Sequence, residues 1–249
     1  MIISEEDVDT VQENGIRLAC AVYPQEDSRI ELPVQREEQI AALVKGKGTE
    51  IHTGQSKRIG YGVAIDIGTT TLAASLLHLK SGERVGVTSL VNHQRAYGAD
   101  VISRIQAAND GAGDALRQSI CSDIDSMLKT LVFDAGVPVE AVEEIVIVGN
   151  TTMCHLLRGL SCVGLGISPF TPEDISLWEG RTADFPSLTE WDAKVTILPG
   201  ISAFVGADIV AGIYGSGMED EEACLFLDIG TNGEMAVGGR EGLLVTSAA

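Results

Sequence analysis

Basic side chains are scarce. Lys and Arg number 17 against 36 Asp and Glu, a formal net charge of -19. A surface of that sign repels phosphate backbones and anionic lipid heads, so neither nucleic acid nor a membrane surface is an expected partner. Long apolar runs are missing too, and no stretch reaches the roughly 18 apolar residues of a spanning helix. The opening segment, Met1 to Asp9, is acidic and lacks the basic start of a secretory signal. Cysteines are few and show no paired spacing: Cys20, Cys121, Cys154, Cys162 and Cys224. An odd count without a secretory signal favours reduced thiols and a cytoplasmic location.

What is present is a globular chain of 249 residues, 45% apolar. That length allows one large domain or two modest ones. Ile16–Val22 and Arg29–Val34 are candidate strands, and residues 36–60, around Lys45-Gly46-Lys47-Gly48, read as a linker. Strands are predicted at Tyr61–Ile67, Thr70–Leu79 and Arg84–Val91, a meander with a tight turn at Gly68-Thr69. Apolar spacings of three and four predict helices over Tyr97–Ala108 and Ala115–Ala135. Ile145–Val148 has the uninterrupted apolar character of a parallel strand, and a helix should begin around Met153. Residues 161–195, broken by prolines, read as irregular, and Ala203–Tyr214 as a helix. Strands follow at Cys224–Ile229, Met235–Gly238 and Leu243–Thr246.

The chain repeats itself once. Ile65-Asp66-Ile67-Gly68-Thr69-Thr70 matches Leu227-Asp228-Ile229-Gly230-Thr231-Asn232, about 160 residues later. That distance suits a duplicated lobe and not a solenoid. In each copy an apolar strand ends in Asp, and a glycine bend leads to residues with hydroxyl or amide groups. Backbone N–H groups and hydroxyls in such a bend can point at phosphate oxygens. The Asp can hold a hydrated Mg²⁺, which prefers carboxylate, water and phosphate oxygens. Each bend alone is also ordinary hairpin chemistry, but two copies after two apolar strands favour a shared phosphate site.

Three other stretches carry polar candidates. Gly149-Asn150-Thr151-Thr152 follows a buried strand, where ligands gather in α/β sheets, though Asn150 and Thr151 can equally cap the next helix. Asp208, at the end of Gly200–Asp208, can orient water for attack on a terminal phosphate, or be an exposed helical carboxylate. Asn92-His93-Gln94 to Arg104 can face a ligand or a partner, with His93 itself read as a surface histidine. Cys154 and Cys162 beside His155 fit no common zinc spacing and read as small buried hydrophobes.

These blocks together resemble the ATP-dependent reductive activators of corrinoid proteins, members of the actin/hexokinase/acetate-kinase superfamily. The resemblance rests on five segments in order: Gly62–Thr71, Tyr97–Ile105, Val148–Met153, Pro199–Asp208 and Leu227–Glu234. It implies an α/β fold with an actin-like, ribonuclease-H-like ATPase lobe at 61–223, the start of a second lobe at 224–249, and a short β-rich remnant of a ferredoxin-like module at 1–35. It implies ATP and Mg²⁺ as cofactors. Asp66 and Asp228 would then hold the metal, Gly68, Thr69, Thr70, Thr71, Asn150, Thr151, Gly230, Thr231 and Asn232 the nucleotide, and Asp208, Asp228 and Glu234 the catalytic roles. The implied partner is the corrinoid protein of a methyltransferase system, returned from Co(II) to Co(I) by an electron from an iron–sulfur cluster; a homodimer is left open.

Two departures from the family pattern stand out. Cys20 matches the last cysteine of a plant-type [2Fe–2S] module, but no cysteine precedes it. It is an orphan ligand, and the cluster is not expected in this chain. His93 stands where the family tends to have proline. The family also continues past Ser247-Ala248-Ala249 into a glycine-rich segment and an adenosine-binding part, so the chain reads as a fragment. A sheet at 224–249 without covering helices would expose apolar surface. Two rival readings are a small-molecule kinase on the same fold, and a partner-binding domain with a vestigial nucleotide site.

Overall fold

The computed structural model describes residues 60–230 and 233–248. The strands expected at Ile16–Val22 and Arg29–Val34, the linker before Gly60, Cys20, Thr231 and Asn232 lie outside the described residues.

Three strands form an antiparallel meander: β1 (Tyr61–Ile67), β2 (Thr71–His78) and β3 (Arg84–Val91). The turn between the first two closes with Gly68 N–H donating to the Thr71 carbonyl at 3.0 Å. After β3 the chain makes a 3-10 turn (His93–Ala96), then α1 (Val101–Ala107), a π-type turn (Ala108–Ala112) and α2 (Gly113–Ala135). The helix predicted over Tyr97–Ala108 therefore starts four residues late. Asp100 is its N-cap: the carboxylate accepts from Ser103 N–H, and the Ser103 hydroxyl accepts from Asp100 N–H in return. That reciprocal pair stops the helix from extending back through Gly98.

α2 turns one face to the sheet, with Leu116, Ile120, Ile124, Leu128 and Leu131 all buried at the spacing read from the sequence. It ends at Gly136, a left-handed residue whose N–H returns to Val132 and Phe133 carbonyls. β4 (Val142–Gly149) then pairs parallel with β1, so that Asp66 lies beside Val148 and Ile67 beside Gly149. α3 (Thr151–Arg158) and a short α4 (Val163–Gly166) follow.

The stretch expected to be irregular holds two short strands, β5 (Trp178–Arg181) and β6 (Lys194–Ile197). β6 is parallel to β4, and β5 is antiparallel to β6 on the edge, giving the order β3-β2-β1-β4-β6-β5. Lys194-Val195-Thr196-Ile197 alternates, burying Val195 and Ile197, but a four-residue run is too short to stand out among the surrounding turns. The Lys194–Glu179 ion pair joins the two strands, and Trp178 packs edge-on against Phe185.

The helix predicted over Ala203–Tyr214 is α5 (Ala207–Ser216), because Ile201–Val205 form a bend ahead of its N-cap, Gly206. A second sheet follows: β7 (Cys224–Ile229), β8 (Gly233–Gly239) and β9 (Gly242–Ala248), all antiparallel. Ile209 and Ile213 of α5, with Val205 and Met218, pack against Ala236, Cys224, Phe226 and Val245 on one face of it. The other face leaves Leu225, Leu227, Ile229, Met235, Val237 and Leu244 exposed. The six-stranded mixed sheet with helices packed against it is the mixed α/β fold expected from the sequence.

Candidate functional site

Alternation along β1 decides where Asp66 points. Val63, Ile65 and Ile67 are buried in the core, so Ala64 and Asp66 face the opposite, more open side of the sheet. The β1–β4 register then brings the Gly68–Thr71 turn beside Gly149-Asn150, at the carboxyl end of both parallel strands. A cleft of about 240 Å³ opens there. Asp66, Gly68, Thr69, Thr70 and Thr71 line it from the first repeat, Asp228, Gly230 and Glu234 from the second, and Asn150 and Asp208 from between.

The two copies of the repeat thus meet across one cavity. Asp66 reaches solvent through the open cleft but has protein on most sides. Loss of surrounding water, followed by repulsion from Asp208 and Asp228, pushes its carboxyl up to about 6. Asp208 is also raised, first by burial and then by Asp228, although its own helix N-terminus opposes this through Ile209 N–H at 2.9 Å. The charges of Asp208 and Asp228 disfavour ionisation of Asp66, and a cation in the cleft would relieve that repulsion. Among the described residues no three His, Cys, Asp or Glu side chains lie close enough to hold a metal unaided. The arrangement suits a hydrated ion completed by a ligand's oxygens.

The first turn is held from two sides. Asn150 Nδ2 donates to Thr69 Oγ1 at 2.9 Å, while its Oδ1 accepts from Met153 N–H at 3.0 Å and caps α3. Asn92, fully buried, donates from Nδ2 to the Gly68 carbonyl and from its backbone N–H to the Thr70 carbonyl, each at 2.9 Å. Sequence reasoning placed Asn92 only within a polar stretch; its one available signal was an amide residue at a strand end before a helical turn. Gly206, the N-cap of α5, packs against the backbone of Gly149, Asn150 and Thr151. A Cβ there would lie 2.5 Å from Asn150 Cα and 2.6 Å from the Gly149 carbonyl oxygen, so only glycine allows this approach.

Thr151 is the candidate that the structure does not bring to the cleft. It is buried, and its hydroxyl donates to the Ser202 carbonyl at 2.6 Å, tying α3 to the bend before α5. His93 keeps an exposed ring, with Nδ1 2.6 Å from the Asp123 carboxylate. His155 spends both nitrogens, on the Thr151 carbonyl and on Glu173 N–H. The neighbouring Cys154 thiol is pushed up to about 12, chiefly by burial.

The family model described as the RACo middle region matches residues 61–221. A corrinoid activation enzyme of Eubacterium limosum, RamQ, is 33% identical over 204 residues, covering 80% of this chain and 34% of that protein. Among solved structures, a reductive activator for corrinoid, iron-sulfur protein aligns with a TM-score of 0.73 at 33% identity, over 78% of this chain and 31% of that one. The chain spans about a third of the length of these relatives. By the extent of the match over 61–221, the chain belongs to the RACo middle-region family.

Proposed function

We propose that this chain supplies the phosphate-holding walls of an ATP-dependent reductive activator of corrinoid proteins. The observation that carries the reading is the meeting of Asp66, Asp208 and Asp228, from two repeats and the helix between them, around one open cleft lined by threonines. The relatives are named as a corrinoid activation enzyme and a reductive activator, which supports the redox purpose.

In this reading Asp66 and Asp228 hold Mg²⁺ through water, and the ion neutralises phosphate charge when bound. Thr69, Thr70, Thr71, Gly68 and Gly230 offer hydroxyls and backbone amides to the phosphate oxygens, joined by Asn150, Thr231 and Asn232. Thr151 acts by holding the Ser202 bend in place. Asp208 and Glu234 orient the attacking water. The work is orientation and charge stabilisation, which such sites supply without covalent chemistry of their own. Closure of the walls around nucleotide is the physical link to electron transfer, by which the corrinoid cobalt of a methyltransferase partner goes from Co(II) to Co(I). The electron would be supplied by an iron–sulfur cluster outside this chain, in which Cys20 alone matches a ligand position and cannot hold a cluster by itself.

The test is ATP-stimulated reduction of a corrinoid protein by the protein carrying Asp228→Ala. The reading expects the ATP stimulation to vanish. Stimulation at the unsubstituted level would remove Asp228 from the mechanism.

A further inference from the structure

Arg104 is the largest fully buried side chain among the described residues. Its Nε donates to the Gly98 carbonyl at 2.9 Å, and its Nη1 lies 3.5 Å from Gln94 Oε1 and 3.3 Å from Met153 Sδ. Its Nη2 has no partner. Among the described residues it forms no ion pair; Asp100, whose field reaches it, stands at the surface. Lone buried cations are costly and rarely kept without an anion to answer them.

The cation sits behind the phosphate turn. From Nη1, contacts of 3.3 Å to Met153 Sδ, 3.7 Å on to Asn92 Nδ2 and 2.9 Å on to the Gly68 carbonyl lead to the cleft floor. Gln94, also fully buried, joins the same cluster: its N–H donates to Asn92 Oδ1 and its side-chain amide to the Leu116 carbonyl. Met153 N–H in turn caps onto Asn150, which holds Thr69. The guanidinium therefore rests against Met153, whose Sδ meets Asn92 and whose N–H caps onto Asn150, the two amides that grip the turn.

We propose that Arg104 is the fixed counter-charge of the cleft, a positioning residue that never touches the ligand but favours polyphosphate over less charged anions. It offsets the repulsion between Asp66, Asp208 and Asp228 and an incoming anion. This rests on the reading of the cleft as a phosphate site. A through-space charge at roughly 10 Å acts in proportion to the net charge of the bound Mg complex, on the order of threefold in affinity per unit, so the nearly neutral orthophosphate complex feels it least. A merely structural role weakens all ligands alike.

The experiment measures affinity of the whole chain for inorganic tripolyphosphate, pyrophosphate and orthophosphate, each with Mg²⁺. Arg104→Gln is expected to weaken tripolyphosphate about tenfold or more and orthophosphate by about threefold or less, while Arg104→Lys stays within about threefold of the unsubstituted chain for all three. Gln94→Glu keeps the guanidinium but places a carboxylate against it, so it should reproduce the graded loss even if Arg104→Gln fails to fold. Equal weakening of all three ligands, or an undiminished tripolyphosphate affinity in Gln94→Glu, would overturn the proposal. No binding of tripolyphosphate by the unsubstituted chain would instead sink the phosphate reading beneath it.

Discussion

Asn150 joins two elements through the two ends of one amide: its nitrogen donates to Thr69 Oγ1 and its oxygen caps α3 at Met153 N–H. Helix capping and site building, alternatives at the level of sequence, are one arrangement in the fold. Asn150→Ala should cost about 1 to 2 kcal/mol in chemical denaturation, from the lost cap and the loosened turn. Asn150→Asp keeps the capping oxygen but cannot donate to Thr69. It should retain most of the stability while weakening Mg–tripolyphosphate binding, which separates the two functions of the side chain.

Asp66 gives the apo protein a pH signature. Its folded pKa of about 6 lies above the ordinary 3.8, so the folded chain binds this proton more tightly than the unfolded chain does. The resulting stability is present at low pH and is lost as pH rises from about 4 to about 6. Asp208 shifts in the same direction. Thermal unfolding without divalent cations should therefore show Asp66→Asn gaining most over the unsubstituted chain near pH 7 and least near pH 4. A constant difference across that range would contradict the assigned shift. Ligand binding through Mg²⁺ needs the ionised form, so it should also weaken below about pH 6.

Gly206 should not tolerate a methyl group. The atoms an added Cβ meets are backbone of Gly149, Asn150 and Thr151, which cannot rotate away. Gly206→Ala is expected to cost about 1 to 3 kcal/mol and to push the start of α5, with Asp208, away from the cleft. Equilibrium denaturation and tripolyphosphate titration of the same variant check both effects.

The outer face of the second sheet makes a separate prediction. Val237 pairs with Leu225 on one side and Leu244 on the other, and Met235 pairs with Leu227, forming apolar rows open to solvent. Ile229 is 88% exposed and Leu244 76%. Contiguous surface of this kind drives association. Leu227→Lys with Leu244→Lys should leave the circular dichroism spectrum unchanged and reduce concentration-dependent association in sedimentation.

The strands β1, β3 and β7 were legible to the residue, because each is an apolar or alternating run stopped by a turn signal. The start of α1 was not, since the Asp100–Ser103 box overrides an apolar spacing that runs back to Tyr97. β5 and β6 are hidden because each is only four residues long, inside a stretch broken by turns. At the cleft, the internal repeat announced Asp66 and Asp228, and the glycine bends announced the threonines. Asn92 and Arg104 gave no such signal. Their importance comes from burial, which a polar residue's identity conceals. Thr151 misled for the complementary reason: its hydroxyl is already engaged by Ser202.

The central claim is that the two repeats hold one magnesium polyphosphate between them. It is tested most directly by a double-mutant cycle of Asp66→Asn and Asp228→Asn, read by calorimetric titration of Mg–tripolyphosphate. Each single change should weaken binding about tenfold or more, and the double change should fall well short of the product of the two, because both carboxylates serve the same ion. Fully multiplicative losses, or undiminished binding in either single variant, would contradict it.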